Sequence, residues 1–206
     1  MKVLLANGSP NQKGCTHTAL SEVAGALKKN GIETEIFHTG DTPISGCMAC
    51  GYCFKTGHCA IKDSVNKFAA KSKKADGFIF GTPVHFASAS GSLTAFMDRV
   101  FFSSRGAFRG KPAAAIVSCR RGGATATFDQ LNKYFSISHM PIATSQYWNM
   151  VHGFTPDDVK KDLEGLQTMR TLGNNMAWLL KCIQAGKSAG IEPPQLEERI
   201  STNFIR

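Results

Sequence analysis

Val3-Leu4-Leu5-Ala6-Asn7-Gly8-Ser9-Pro10-Asn11-Gln12-Lys13-Gly14-Cys15-Thr16-His17-Thr18 starts as a short apolar run, breaks on glycine and proline, and ends in hydroxyls. An apolar run bounded by turn residues is a buried strand, here residues 3 to 7. Ala19, Leu20, Val23, Ala24 and Leu27 then recur at helical spacing until Asn30-Gly31. The segment therefore reads strand, loop, helix, and the loop's hydroxyls and amides converge on a helix N-terminus, a natural anion site. It contains no G-x-G-x-x-G. It is not a Walker A loop either, because five residues rather than four separate Gly8 from Gly14, and Cys15-Thr16 stands where Lys-Ser/Thr belongs. A hydroxyl-rich loop of this kind suits a single monophosphate held by neutral donors, as on FMN. An ordinary turn with a capping threonine is the plainer alternative.

Outward from this unit the chain keeps alternating short apolar runs with helical patterns, the mark of a doubly wound parallel sheet. Strands are expected at 34–37, 77–81, 113–118 and 141–147. Helices are expected from an Asp63 cap to about Lys74, through the core stripe Leu93, Phe96, Met97, Val100 and Phe101, over 128–135, and from Thr155-Pro156 to about residue 185. Gly173-Asn174-Asn175 is a soft point in the last helix, for a kink or a contact. Five strands with helices on both faces give a flavodoxin-like α/β fold with strand order 2-1-3-4-5. The loops after strands one, three and four should then carry the chemistry, beyond the carboxyl ends of the strands. Residues 1–190 form one domain with an insertion at about 39–62, and 191–206 form a C-terminal arm that Pro193-Pro194 keeps from being helical.

The length of 206 residues fits a single domain. The 42% hydrophobic content is too high for a disordered chain. The net charge of +9 asks for an acidic partner, but residues 1–103 carry eleven Lys/Arg against seven Asp/Glu, and 104–206 carry thirteen against eight. Lys71, Lys73 and Lys74 sit at a helix end without interleaved aromatics, so the excess is a solvated surface and not a nucleic-acid footprint. With no secretory run after Lys2 and no long apolar span, a cytoplasmic protein without a membrane partner is expected.

The seven cysteines are an odd number, against a fully paired disulfide framework. Cys47, Cys50, Cys53 and Cys59 form C-x2-C-x2-C-x5-C inside a long glycine-studded loop. Such spacing can wrap thiolates around the corners of a cuboidal cluster, with Gly46, Gly51 and Gly57 letting the backbone approach the sulfurs. A 4Fe-4S cluster, a structural zinc, a thiol switch and an empty loop all remain open. Cys119 and Cys182 read as buried small apolar residues. Arg99 reads as structural, pairing with Asp98 or a helix terminus.

Taken in order, Gly8-Ser9-Pro10-Asn11 with Thr16, residues 81–86 leading into Ser90 to Arg99, Arg120-Arg121-Gly122-Gly123, and Tyr147 to Gly153 resemble the NADPH-dependent FMN reductase and iron-sulfur flavoprotein group. The resemblance runs over nearly the whole chain, and the cysteine run resembles that group's compact cluster motif. It implies a flavodoxin-like fold, bound FMN and electron transfer. Carried onto this chain, Ser9, Asn11 and Thr16 would hold the phosphate, with amides of Lys13, Cys15 and His17 completing the cradle. Pro83, Val84, His85 and Phe86 would line the isoalloxazine, and Ser118, Arg120, Arg121, Gly122 and Gly123 would supply donors near its pyrimidine edge. Cys15 departs from the usual asparagine, and His85 stands where another aromatic is common. His85 is a candidate proton donor, although a ring beside a flavin is more often a wall.

The resulting expectation is an FMN-dependent oxidoreductase passing electrons between a reduced carrier, a 4Fe-4S cluster and FMN. The donor would be NADPH, NADH or ferredoxin, and the assembly a homodimer or homotetramer. The alternatives are an NAD(P)H-dependent reductase of flavin, quinone or azo compounds without a cluster, and a non-catalytic redox or metal sensor.

Overall fold

The computed structural model describes residues 1–40, 42–198, 200–202 and 204, with residue 105 described by its backbone alone. Its parallel strands are β1 (Lys2–Asn7), β2 (Glu33–His38), β3 (Gly77–His85), β5 (Ala113–Cys119) and β6 (Met150–His152), in the order β2-β1-β3-β5-β6. This is the expected 2-1-3-4-5 order. β4 (Ser88–Ala89) adds an antiparallel hairpin on β3, pairing Val84 with Ala89 and His85 with Ser88.

The central strands β1, β3 and β5 are buried on both faces, and their period of two divides the core. Val3, Leu5, Ile79, Ala114 and Ile116 pack with α1 (Cys15–Lys29) and α8 (Leu163–Ser188). Leu4, Ala6, Phe78, Phe80 and Ala115 pack with α3 (Ser64–Ser72), α4 (Gly91–Ser103) and α6 (Ala124–Ile137). The second face is aromatic: Phe68 stands edge-on to Phe96 at 5.2 Å between centroids, and Phe80 lies 5.6 Å from Phe135. Each such fully buried ring contributes about 1.5–3 kcal/mol. The stripe from Leu93 to Phe101 is buried as its spacing implies. Three short helices, α2 (Tyr52–Thr56), α5 (Arg105–Phe108) and α7 (Pro156–Lys161), complete the chain. No helix among the described residues is long and apolar enough to cross a membrane.

The last strand lies elsewhere than expected. Of 141–147 only Ile142 bridges to β5, at Ala113, and the ladder resumes at Met150. Side-chain bonds interrupt it: Ser145 Oγ lies 2.6 Å from both the Tyr147 carbonyl and Asn149 Oδ1, with one hydroxyl hydrogen to give between them. The buried Asn149 amide meanwhile covers the Ala115 carbonyl at 3.0 Å. Local hydroxyl and amide bonds thus compete with backbone pairing. The terminal helix is two helices, because Asp162 ends α7 and caps α8 by accepting from the Gly165 N–H. Thr155 opens α7 with a capping box to Asp158. Gly173 produces no break. A Cβ there would lie 2.7 Å from the Ala26 Cβ and 2.8 Å from the Val23 carbonyl, so the missing side chain is what lets α8 lie against α1.

Candidate functional site

Three loops meet at the carboxyl ends of β1, β3 and β5. The first is built from its own polar side chains. Asn7 Nδ2 donates to the Gln12 carbonyl at 3.0 Å, Ser9 Oγ accepts from the Asn11 N–H at 3.1 Å, and the Gly14 N–H closes the turn on the Asn11 carbonyl. The His38 ring lies 2.8 Å from the Ser9 carbonyl, and Ser90 Oγ donates to the Gly8 carbonyl at 2.8 Å. Gly14 caps α1 with no side-chain bond, and the first turn holds no acid. The first amides of α1, those of Cys15, Thr16 and His17, have no carbonyl within the helix to bond, an arrangement that suits an anion.

Thr16 and Ser118, expected at the phosphate and near the pyrimidine edge, are brought together by the fold. Both are buried, and their hydroxyls lie 2.8 Å apart. They tie the first loop to β5, while Ser9 is buried and Asn11 and Lys13 are exposed on the loop. Cys15 is half-buried, its thiol pushed up by burial and by Asp158, with Sγ 3.8 Å from the Gly153 carbonyl, so it adds no charge to the loop. Burial first, then Lys13 and His38, hold the His17 imidazole below the usual histidine range.

The second loop is the β3–β4 hairpin. Its two turn residues, Phe86 and Ala87, have φ of +51° and +59°, the left-handed conformation a two-residue hairpin requires. Gln130 of α6 holds the return strand by accepting from Ser88 Oγ at 2.8 Å and the Ala89 N–H at 2.9 Å. The Phe86 ring is fully exposed, His85 is exposed, and Pro83 and Val84 are half-buried beside them. In the third loop Arg120, Arg121 and Gly122 are exposed. Gly123, at φ +89°, lies under the hairpin tip, where a Cβ would come within 2.6 Å of the Ala87 Cα. Arg120 stacks over the Phe154 ring at 5.8 Å. Neither Phe154 nor His38 stands out in the sequence, because each joins the site by tertiary contact alone.

The cysteine loop lies on the α3/α4 face. Cys47 and Cys50 are exposed, Cys53 and Cys59 half-buried, and all four are free thiols. Left-handed backbone at Ala49, Gly51 and Gly57 turns the chain around α2, which carries Cys53. Asn66 of α3 fixes Cys59, accepting from its N–H at 3.0 Å and donating to its carbonyl at 2.9 Å. All four cysteines line one cavity of about 330 Å³, shared with Phe54 and Arg99. Among the described residues no three His, Cys, Asp or Glu side chains close on a single ion.

Of the two partners expected for Arg99 the helix terminus is the one found, the α3 cap Asp63, and not Asp98, whose carboxylate accepts from the Tyr134 hydroxyl at 2.5 Å. Its guanidinium forks onto Asp63 at 2.6 and 2.9 Å and reaches the Cys59 sulfur. Cys119 is buried as expected, and burial raises its thiol pKa. Cys182 is a correction, because it lies exposed on α8. It occupies the solvent side of a helix that buries Met176, Ala177 and Leu180.

A family model described as NADPH-dependent FMN reductase matches residues 1–155. An iron-sulfur flavoprotein of Methanocaldococcus jannaschii is 35% identical over 194 residues, 89% of this chain and 100% of that protein. An iron-sulfur flavoprotein of Archaeoglobus fulgidus is 30% identical over 186 residues, 85% of this chain and 95% of that one. Among solved structures, RosB with a bound 8-demethyl-8-formylriboflavin-5'-phosphate intermediate superposes with a TM-score of 0.69 at 15% identity, over 100% of this chain and 94% of that one. At that identity the likeness speaks for the fold alone.

Proposed function

The chain belongs to the NADPH-dependent FMN reductase family. On that premise we propose that it is an FMN-dependent oxidoreductase of the iron-sulfur flavoprotein type, with FMN at the ends of β1, β3 and β5 and a 4Fe-4S cluster on Cys47, Cys50, Cys53 and Cys59. When bound, FMN supplies hydride or single-electron chemistry and the cluster supplies one-electron steps.

The chain's own contributions follow from the geometry. The α1 amides and Ser9 bind the phosphate without a metal, while the Thr16–Ser118 bond sets the height of that cradle against β5. The rigid hairpin presents Pro83, Val84, His85 and Phe86 as a wall for the ring. Exposed Arg120 and Arg121, with the amides of Gly122 and Gly123, offer positive charge where negative charge grows on reduction.

The observation that carries the cluster is the convergence of four free thiols on one cavity, with a buried guanidinium donating to one of them. Those residues fit the group, since a cuboidal cluster takes one thiolate at each corner. NAD(P)H or ferredoxin would be the donor. The 191–206 arm would join copies of the 1–190 flavin domain into a homodimer or homotetramer.

Protein purified without oxygen should show flavin bands over a broad visible shoulder, with about four iron and four labile sulfide per chain. Flavin bands without labile sulfide would replace this reading by a reductase in which the cysteines are incidental. Flavin-free protein that takes up no FMN would leave a metal or thiol sensor.

A further inference from the structure

Arg99 is the largest fully buried side chain in the molecule's described part, 1% exposed on a helix whose other inward residues are Phe, Met, Leu and Val, with Ser103 at its end. A charge is placed there only at the cost of desolvation unless every donor is met. Here every donor is met. Nη1 donates to Asp63 Oδ2 at 2.6 Å and to the Ser45 carbonyl at 3.3 Å. Nη2 donates to Asp63 Oδ1 at 2.9 Å and to the Ile61 carbonyl at 3.2 Å. Nε has Cys59 Sγ as its acceptor at 3.3 Å, and Nη2, whose two hydrogens meet three acceptors, shares one of them with the same sulfur, also at 3.3 Å. A single side chain of α4 thus grips both ends of the cysteine loop and its last thiol.

The fork to Asp63 would be enough to satisfy a structural ion pair. The two donors turned on Cys59 are not explained by it. They approach the one cysteine that Asn66 also holds by its backbone, so the sulfur is fixed in place while its charge is stabilised. One-electron reduction adds a unit of negative charge to a cluster and its thiolates, and hydrogen bonds to those sulfurs favour the reduced form. A lysine could neutralise Asp63 but could not keep the planar fork on both partners.

Resting on the reading of the cysteine loop as a cluster site, we propose that Arg99 is the positioning residue for the fourth ligand, and that its guanidinium donors turned on Cys59 hold the cluster's reduction potential up while Asp63 pulls it down.

The test is a dye-mediated redox titration of the anaerobic holoprotein, followed by the electron paramagnetic resonance signal of the reduced cluster, with iron and sulfide assayed alongside. Arg99→Lys should keep metal and sulfide content and make the cluster about tenfold harder to reduce, about 59 mV for one electron. Asp63→Asn, which remains a competent cap for α3, should shift the potential the opposite way. The flavin potential should stay fixed in both. Unchanged potentials, shifts of the same sign, or loss of iron at an unaltered potential would overturn the assignment. If Arg99→Lys does not fold, the Asp63→Asn shift decides alone: upward supports, absent or downward refutes. Wild-type protein with no labile sulfide would fail the underlying cluster reading and remove this inference with it, an outcome told apart by the assay before any variant is made.

Discussion

Two side chains of the phosphate loop make separable predictions. Thr16→Val would leave the buried Ser118 hydroxyl without its partner, at a cost of about 1–3 kcal/mol in urea unfolding. Adding Ser118→Ala should restore much of that loss, because removing both partners strands no polar group; a double variant as weak as the single one would show that packing and not the bond matters. His17 is held low by burial, Lys13 and His38. A phosphate on the adjacent amides would raise it, so binding takes up a proton and affinity gains as pH falls through the His17 range. The phosphate's own second ionisation, near pH 6, acts the other way. The comparison is therefore with His17→Gln: the ratio of wild-type to variant FMN affinity should climb from about pH 8 to 6. A ratio independent of pH would place the phosphate elsewhere. Ser9 and Asn11 were legible as loop residues from their place after an apolar run. The Thr16–Ser118 and Arg99–Cys59 contacts were not, because 102 and 40 residues separate the partners and no local spacing encodes either pair.

At the scale of elements the β3–β4 hairpin holds most of the interest. Two-residue turns of this kind favour Asn-Gly, yet here Phe86 and Ala87 adopt positive φ. Non-glycine residues in that region cost energy that functional sites tend to retain. Replacing the pair with Asn-Gly should raise the melting temperature of the apoprotein and weaken FMN binding, since the exposed Phe86 ring is the proposed wall of the flavin pocket. A stabler hairpin with unchanged affinity would remove Phe86 from that role. β1, β3 and β5 could be read ahead because each is a compact apolar run. The hairpin could not, as Val84 to Ala89 carries no turn glycine. The last strand was displaced because Ser145 and Asn149 substitute side-chain bonds for a ladder whose apolar pattern begins earlier.

At the scale of the molecule, the arm beyond α8 is tied back by the Arg109 guanidinium donating to the Pro194 carbonyl at 2.8 Å, while Leu196, Ile200 and Phe204 remain exposed. If the arm joins copies as proposed, deleting 191–206 should leave a monomer by light scattering with flavin content intact; an unchanged mass would free the arm of any part in assembly. The cysteine loop is itself unequal. Cys59 is moored from two helices, by Asn66 of α3 and Arg99 of α4, whereas Cys47 and Cys50 lie at the surface. Loading and loss of inorganic material should then follow an order, beginning and ending at the outer pair, with the moored thiol as the fixed post. Alkylation of the apoprotein, read by mass spectrometry, should label Cys47 and Cys50 well before Cys59, so that oxidative damage would strip the proposed cluster from its open side.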